Sequence, residues 1–270
     1  MSVLISVEEL RELPEVVLLD VRWLLGGPPG RQEYRTGHIP GAVFVDLETE
    51  LAAHGEPTDG RHPLPSLDAL QVSARRWGVR KDVPVVAYDG NGNLAAARAW
   101  WLLRWAGVPD VRLLDGALAA WVTTGGELDV DDVVPVPSDI VLTGGALPTL
   151  DLDTVQAFGG VLLDARAGER YRGETEPIDP KAGHIPGARS APTTDNLGAD
   201  GRFLDPDTLR ERFSSLGVGD GPTGVYCGSG VTAAHEIAAL AIAGYDAALY
   251  AGSWSQWSNH EHLPVATGTD

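Results

Sequence analysis

The hexapeptide Gly-His-Ile-Pro-Gly-Ala occurs twice, at Gly37 to Ala42 and again at Gly183 to Ala188. Repetition of such a segment across half a chain means two related halves, each a supersecondary unit of the same kind. Three further matches keep the same order: Leu18-Leu19-Asp20 with Leu162-Leu163-Asp164, Tyr88-Asp89-Gly90 with Tyr226-Cys227-Gly228, and Gly116 to Trp121 with Gly252 to Trp257. With the hexapeptide included, the four offsets run 144, 146, 138 and 136 residues in chain order, so the first half carries about eight extra residues after its hexapeptide. The stretch Glu48 to Pro65, rich in His, Pro, Asp and Gly, reads as the long loop that holds them. Residues 1–128 and 149–270 are therefore expected to form two domains, with the acidic, Pro- and Gly-rich 129–148 as an exposed linker.

Composition narrows the chemistry. The 270 residues include one cysteine, which excludes an intrachain disulfide and any multi-thiolate zinc or iron–sulfur site. The longest apolar stretch, Leu94 to Val108, is broken by Arg98 and Arg104 and is too short to span a bilayer. No basic region precedes the apolar residues of the N-terminus, so no secretory signal is visible and a cytoplasmic location is the expectation. A net charge of −18 repels phosphate backbones and anionic lipid, making nucleic acid and membranes poor partners. A small anionic substrate in a locally basic pocket stays compatible with it.

Within each half, short β-branched runs alternate with helical patterns, the signature of βα units around a mostly parallel sheet flanked by helices, an α/β fold. Strands are expected at Val16 to Asp20, Val83 to Tyr88 and Val111 to Leu114, then at Val161 to Asp164, Thr223 to Tyr226 and Ala247 to Tyr250. Asn93 to Ala106 and Thr232 to Ala243 read as Ala-rich helices, each following a strand and a glycine-containing turn. Ligands of open α/β sheets bind beyond the carboxyl ends of strands. Chemistry is therefore sought at Asp89 to Gly92 and Cys227 to Gly230.

Cys227 ends a strand and is followed by Gly228-Ser229-Gly230-Val231-Thr232 and a helix, so successive backbone N–H groups can curl around its sulfur. Such nests and helix N-termini favour a thiolate. Glycines 228 and 230 permit the tight turn, and Thr232 is the expected N-cap. A phosphatase loop needs an arginine six residues after its cysteine, where Ala233 stands. Dithiol redox chemistry needs a second cysteine. What remains is a lone cysteine nucleophile that holds a product anion on sulfur.

The tandem GHIPGA segments, the CGSGVTA loop and the closing Gly252-x-x-x-x-Trp257 resemble the two-domain rhodanese family of sulfurtransferases, over almost the whole chain. The resemblance implies tandem rhodanese-like domains, a C-terminal domain whose cysteine becomes a persulfide, and a silent N-terminal domain with Asp89 in the cysteine's place. The CGSGVT form, neutral at Gly228 and Ser229, is similar to 3-mercaptopyruvate rather than thiosulfate sulfurtransferases. It implies that Ser229 assists proton transfer, that Gly228, Gly230, Val231 and Thr232 cradle the persulfide, and that Arg170 binds the substrate carboxylate. By the same resemblance Glu48 matches a cleft carboxylate and His62 a loop histidine. The family's second arginine is missing from Ile178-Asp179-Pro180-Lys181, and Lys181 is its expected substitute.

Arg166, Arg170 and Arg172 form a dense basic cluster in the acidic second half. His38 and His184 belong to the repeated turn, which occurs even in the half without a nucleophile, and so are expected to be structural. Trp100, Trp101 and Trp105 follow helical spacing and read as packing residues, while Trp254 is a candidate pocket wall. The resemblance implies a ping-pong cycle with no metal or organic cofactor, a small anionic sulfur donor, and a thiol (a thioredoxin-like protein or a small thiol) or cyanide as acceptor. Thiosulfate as donor is the alternative within the class; a non-catalytic rhodanese-fold binding module is the alternative outside it.

Overall fold

Six short apolar runs of the chain form the longer strands, and four two-residue strands that carry no pattern of their own complete the sheets. The computed structural model describes residues 2–269. Two units are present. The first comprises the chain up to Ala53, Pro65–Leu147 and Ala199–Phe203; the second comprises His54–Leu64, Pro148–Gly198 and the chain from Leu204 onward.

In the first unit the strands are β1 (Leu4–Ile5), β2 (Val17–Asp20), β3 (Val43–Phe44), β4 (Val85–Tyr88) and β5 (Val111–Leu114), in the order β1-β5-β4-β2-β3. The second unit repeats this order with β6 (Thr149–Leu150), β7 (Val161–Asp164), β8 (Arg189–Ser190), β9 (Thr223–Tyr226) and β10 (Ala248–Tyr250), arranged β6-β10-β9-β7-β8. All pairings are parallel. Every residue of the central strands β4 and β9 is buried, as expected of a parallel sheet covered on both faces by helices.

The helices following the central strands, Ala96–Trp105 and Val231–Ile242, are buried along most of their length, which explains their runs of alanine. Trp100 and Trp101 are fully buried on the first of them, and Trp101 stacks on Trp105. In the second unit Tyr226, Tyr250, Trp254 and Trp257 share one core cluster with Val155, Leu162 and Ile185. Aromatic side chains of this size bury about 150–250 Å² each, worth roughly 4–6 kcal/mol at about 25 cal/mol per Å².

The repeated hexapeptide is a packing device in both units. His38 Nδ1 donates to the carbonyl of Tyr34 at 2.9 Å and its ring stacks on Tyr34 with centroids 3.7 Å apart. His184 does the same with Tyr171, at 2.8 Å and 3.7 Å. Both imidazoles are completely buried, so they hold the turn against the sheet.

Residues 129–147 lie along the first unit. His38 and Asp129 form a bridge, and the N–H groups of Ser138, Thr143 and Ala146 donate to Arg75, Ala106 and Trp105. Ile140 and Leu142 are buried there, whereas Val134 and Val136 are almost fully exposed. No helix among the described residues is long and apolar enough to cross a membrane.

Candidate active site

Strand β9 delivers Cys227 to the carboxyl edge of the second sheet, where its backbone N–H donates to Ser253 Oγ at 3.1 Å. The chain then turns sharply. Gly230 sits at φ +78° in the left-handed region, and a Cβ there would lie 2.4 Å from the carbonyl oxygen of Ala251, so only glycine fits. This turn aims the N–H of Gly230 back at Cys227 Sγ, 3.1 Å away. Gly230, not Thr232, occupies the N-cap position; Thr232 is the second residue of the Val231–Ile242 helix. The expected threonine cap fails because the left-handed glycine already terminates the loop two residues earlier. Val231 and Cys227 are both buried, Cys227 at 2% exposure.

The first unit displays the same loop already filled. Asp89 follows β4 as Cys227 follows β9, and it is 1% exposed. Its Oδ1 accepts the N–H groups of Asn91 and Asn93 at 2.7 and 2.8 Å, and its Oδ2 those of Ala95 and Ala96 at 2.8 and 3.0 Å. Burial pushes this carboxyl upward, and the four N–H groups resist that push. A loop of this design holds an anion.

His62 reaches the Cys227 loop from residues 54–64, its Nδ1 2.7 Å from Ser229 Oγ, with both side chains nearly buried. That segment is pinned to the second unit. The N–H of Arg61 donates to Ser255 Oγ at 3.1 Å, and Gln256 Nε2 donates to the carbonyl of Thr58 at 3.1 Å. Gly60, at φ +89°, passes so close to Gly252 that a Cβ would meet its carbonyl oxygen at 2.8 Å.

Arg170 lies at the mouth of the loop. A Cβ on Gly228 would stand 3.4 Å from Arg170 Nη1 and 3.2 Å from Arg61 Nη2. Arg170 Nη2 donates to Glu176 Oε1 at 2.6 Å and to Asp179 Oδ2 at 3.3 Å, while Arg61 Nη1 pairs with Asp179 Oδ1. Burial pushes the Asp179 carboxyl above the usual carboxylate range, against the pull of Arg61 and Arg170. Arg61 is not among the site residues expected from the sequence. Its one sequence signal is its place beside His62.

The remaining expected residues take other places. Lys181 Nζ donates to the carbonyls of His260, Glu261 and Leu263, at 2.7 to 3.3 Å, which occupies all three ammonium protons on backbone. It is therefore a tether of the C-terminal segment and not a replacement arginine. Arg166 is buried, paired with Asp164 and Glu176, and lies 4.6 Å over the ring of Trp254. Trp254 is thus a core residue whose indole donates to the carbonyl of Lys181 at 2.9 Å. Arg172 pairs with Glu174 near the surface. Glu48 belongs to the first unit, in the Leu47–Glu50 helix, and its Oε1 accepts the Trp23 indole N–H at 2.6 Å. Among the described residues no group of three or more His, Cys, Asp or Glu is placed to hold a metal ion.

The model of the rhodanese-like domain matches twice, at residues 5–124 and 150–260. The chain belongs to the rhodanese-like domain family. Among its relatives, a Pseudomonas aeruginosa protein with the name probable 3-mercaptopyruvate sulfurtransferase is 49% identical, covering 94% of this chain and 93% of that one. A Mycobacterium tuberculosis protein with a provisional thiosulfate sulfurtransferase name is 47% identical, covering 99% and 98%. The structure of the 3-mercaptopyruvate sulfurtransferase from Leishmania major superposes with a TM-score of 0.88 at 26% identity, covering 98% of this chain and 76% of that one. In this tandem rhodanese, the two matched segments contain the two equivalent loops, one beginning with a thiol and the other with a carboxylate.

Proposed function

We propose that this chain is a sulfurtransferase that moves sulfur from 3-mercaptopyruvate to a thiol or cyanide through a persulfide on Cys227. The observation that carries the reading is the Gly230 N–H at 3.1 Å from Cys227 Sγ, in a loop whose counterpart wraps the Asp89 carboxylate. The Cys227 thiolate attacks the donor sulfur, forming an S–S bond. The C–S bond breaks and its electron pair passes to carbon as the pyruvate enolate. The donor's thiol proton ends on that carbon, so the step leaves a persulfide anion and pyruvate. The acceptor then takes the terminal sulfur and returns Cys227 to its thiolate.

In this reading Ser229 moves the thiol proton and Arg170 holds the donor carboxylate; the 2.7 Å contact of Ser229 Oγ with His62 Nδ1 and the approach of Arg170 to Gly228 support these roles. A thioredoxin-like protein or a small thiol is the acceptor class that fits an anionic persulfide. Cytoplasmic residence accords with a reactive thiol that must stay reduced.

Thiosulfate is the second reading. The sequence gives a neutral Gly228-Ser229 pair, yet Arg61 and Arg170 both stand beside Gly228, so the loop mouth carries guanidinium charge all the same. The 47% identical relative with the thiosulfate name points the same way. Steady-state kinetics with each donor decide between them: the proposal requires kcat/KM to be higher for 3-mercaptopyruvate. Intact mass after incubation with donor alone should show one added sulfur, absent in Cys227→Ser. Absence of any adduct with either donor returns the chain to a binding module.

A further inference from the structure

The mouth of the Cys227 loop holds two guanidinium groups in an unusual state. Asp179, whose side chain is 2% exposed, spans them, giving Oδ1 to Arg61 and Oδ2 to Arg170. Neither guanidinium is thereby satisfied. Arg61 Nε and Arg170 Nε are both buried, and neither has a hydrogen-bond partner among the described residues. A buried cationic N–H without an acceptor is costly, and in a native fold it calls for a partner that arrives with the ligand. Arg61 Nη2 meanwhile faces the backbone of Gly228, one residue from the nucleophile.

The planar guanidinium makes this division of labour possible. Its five donors form a fixed fork, so one edge can hold Asp179 while another offers N–H groups to an oxyanion, which a lysine ammonium could not do in the same geometry. The position of Arg61 is also over-determined. Its own N–H is fixed to Ser255, and the glycine before it is pressed against Gly252. A residue needed merely to neutralise Asp179 would require neither the pinned backbone nor the approach to Gly228.

We propose that Arg61 is a second anion-binding residue of the Cys227 site, positioned against Arg170 by Asp179, and that it selects reagents and donors bearing a carboxylate or similar oxyanion. The sulfur-donor part rests on the sulfurtransferase reading; the anion selection at Cys227 does not. The ligand class is a small monoanion or dianion with its oxyanion a few ångströms from the electrophilic atom.

The test exploits the lone cysteine. Rates of Cys227 alkylation by iodoacetate and by neutral iodoacetamide are measured at one pH and ionic strength in wild type, Arg61→Met and Arg61→Lys. Any change in thiolate content affects both reagents alike and cancels in their ratio. The iodoacetate-to-iodoacetamide ratio should fall about tenfold in Arg61→Met, the loss of one charge-assisted contact, with partial retention in Arg61→Lys. KM for 3-mercaptopyruvate should rise by a similar factor, with kcat within about twofold. Should loss of the cation leave Asp179 too costly to bury, Arg61→Met combined with Asp179→Asn removes both charges and is read the same way. An unchanged ratio, or equal slowing by both reagents, overturns the inference. Should the wild-type thiol resist both reagents, the KM comparison decides, and an unchanged KM overturns it. A lowered ratio in an enzyme that turns over neither sulfur donor upholds the anion site while removing the sulfurtransferase reading.

Discussion

His62 Nδ1 lies 2.7 Å from Ser229 Oγ, across 167 residues of sequence, and neither side chain is appreciably exposed. A hydroxyl so placed can pass a proton on instead of merely holding one. Ser229→Ala and His62→Gln are each expected to lower kcat by about 10²-fold with little change in KM, because the proton moves in the transition state. The double variant should cost scarcely more than either single one, since both act through one hydrogen bond. Additive losses in the measured kcat values would separate the two residues.

Cys227→Ser should reduce sulfur transfer by roughly 10³-fold or more, since a serine hydroxyl is not ionised at neutral pH. Asp89→Ala should behave in the opposite way. It leaves transfer by the folded enzyme nearly intact but strands four buried N–H groups, lowering stability by on the order of 3 kcal/mol. Denaturant midpoints beside specific activities check both halves of this statement.

Gly60→Ala places a side chain on a residue with φ +89° and ψ 167°, 2.8 Å from the carbonyl oxygen of Gly252. Such a conformation costs about 1–3 kcal/mol for a residue other than glycine. The 54–64 segment should shift, carrying Arg61 and His62 with it, so kcat should fall and KM should rise together. A variant with wild-type values of both would show that this segment does not position the site.

Arg170→Met should raise KM for a carboxylate donor by roughly 10 to 150-fold while changing kcat little. It also leaves buried Glu176 short of a partner, so thermal stability should drop. Double-mutant analysis with Glu176→Gln should recover part of the stability and none of the KM. Recovery of KM would mean that Arg170 acts through Glu176.

Asp20 provides a pH prediction. Burial lifts its carboxyl to about 6, against the pull of Arg22 at 2.7 Å, whereas an unfolded aspartate titrates near ~3.9. The folded chain therefore holds this proton more tightly, and the resulting stability is full below pH ~4 and lost as pH rises through about 6. Wild type should therefore lose on the order of 3 kcal/mol of stability relative to Asp20→Asn, whose neutral amide mimics the protonated carboxyl, from pH ~4 to ~7. Parallel stability curves for the two proteins would contradict it.

The tandem organisation was legible because both hexapeptides do the same work, each burying a histidine against a tyrosine. The six longer strands announced themselves by short apolar runs, five of them with β-branched residues, whereas β1, β3, β6 and β8 span two residues each and exist through their neighbours. Cys227 and its glycines were readable because a nucleophile loop is local. Arg61 was not, since its partner Asp179 is 118 residues away and their meeting depends on residues 54–64 joining the second unit. Lys181 misled for the converse reason: a lysine near the missing arginine has the right charge, but three carbonyls of the C-terminal segment claim it. Thr232 has a capping side chain, yet the backbone angles of Gly230 decide where the helix begins.

The carboxylate of Asp89 is tied to the backbone that surrounds it, so the first loop can never be emptied. Its counterpart at Cys227 is charged and discharged in each proposed cycle, and sulfur chemistry also exposes it to oxidation beyond the sulfenic stage. An oxidant that destroys Cys227 thus has no equivalent target in the first unit, whose loop contains no sulfur. Peroxide should therefore yield a protein whose activity is gone while its first unit melts as before, dead as a catalyst and unaltered as a fold.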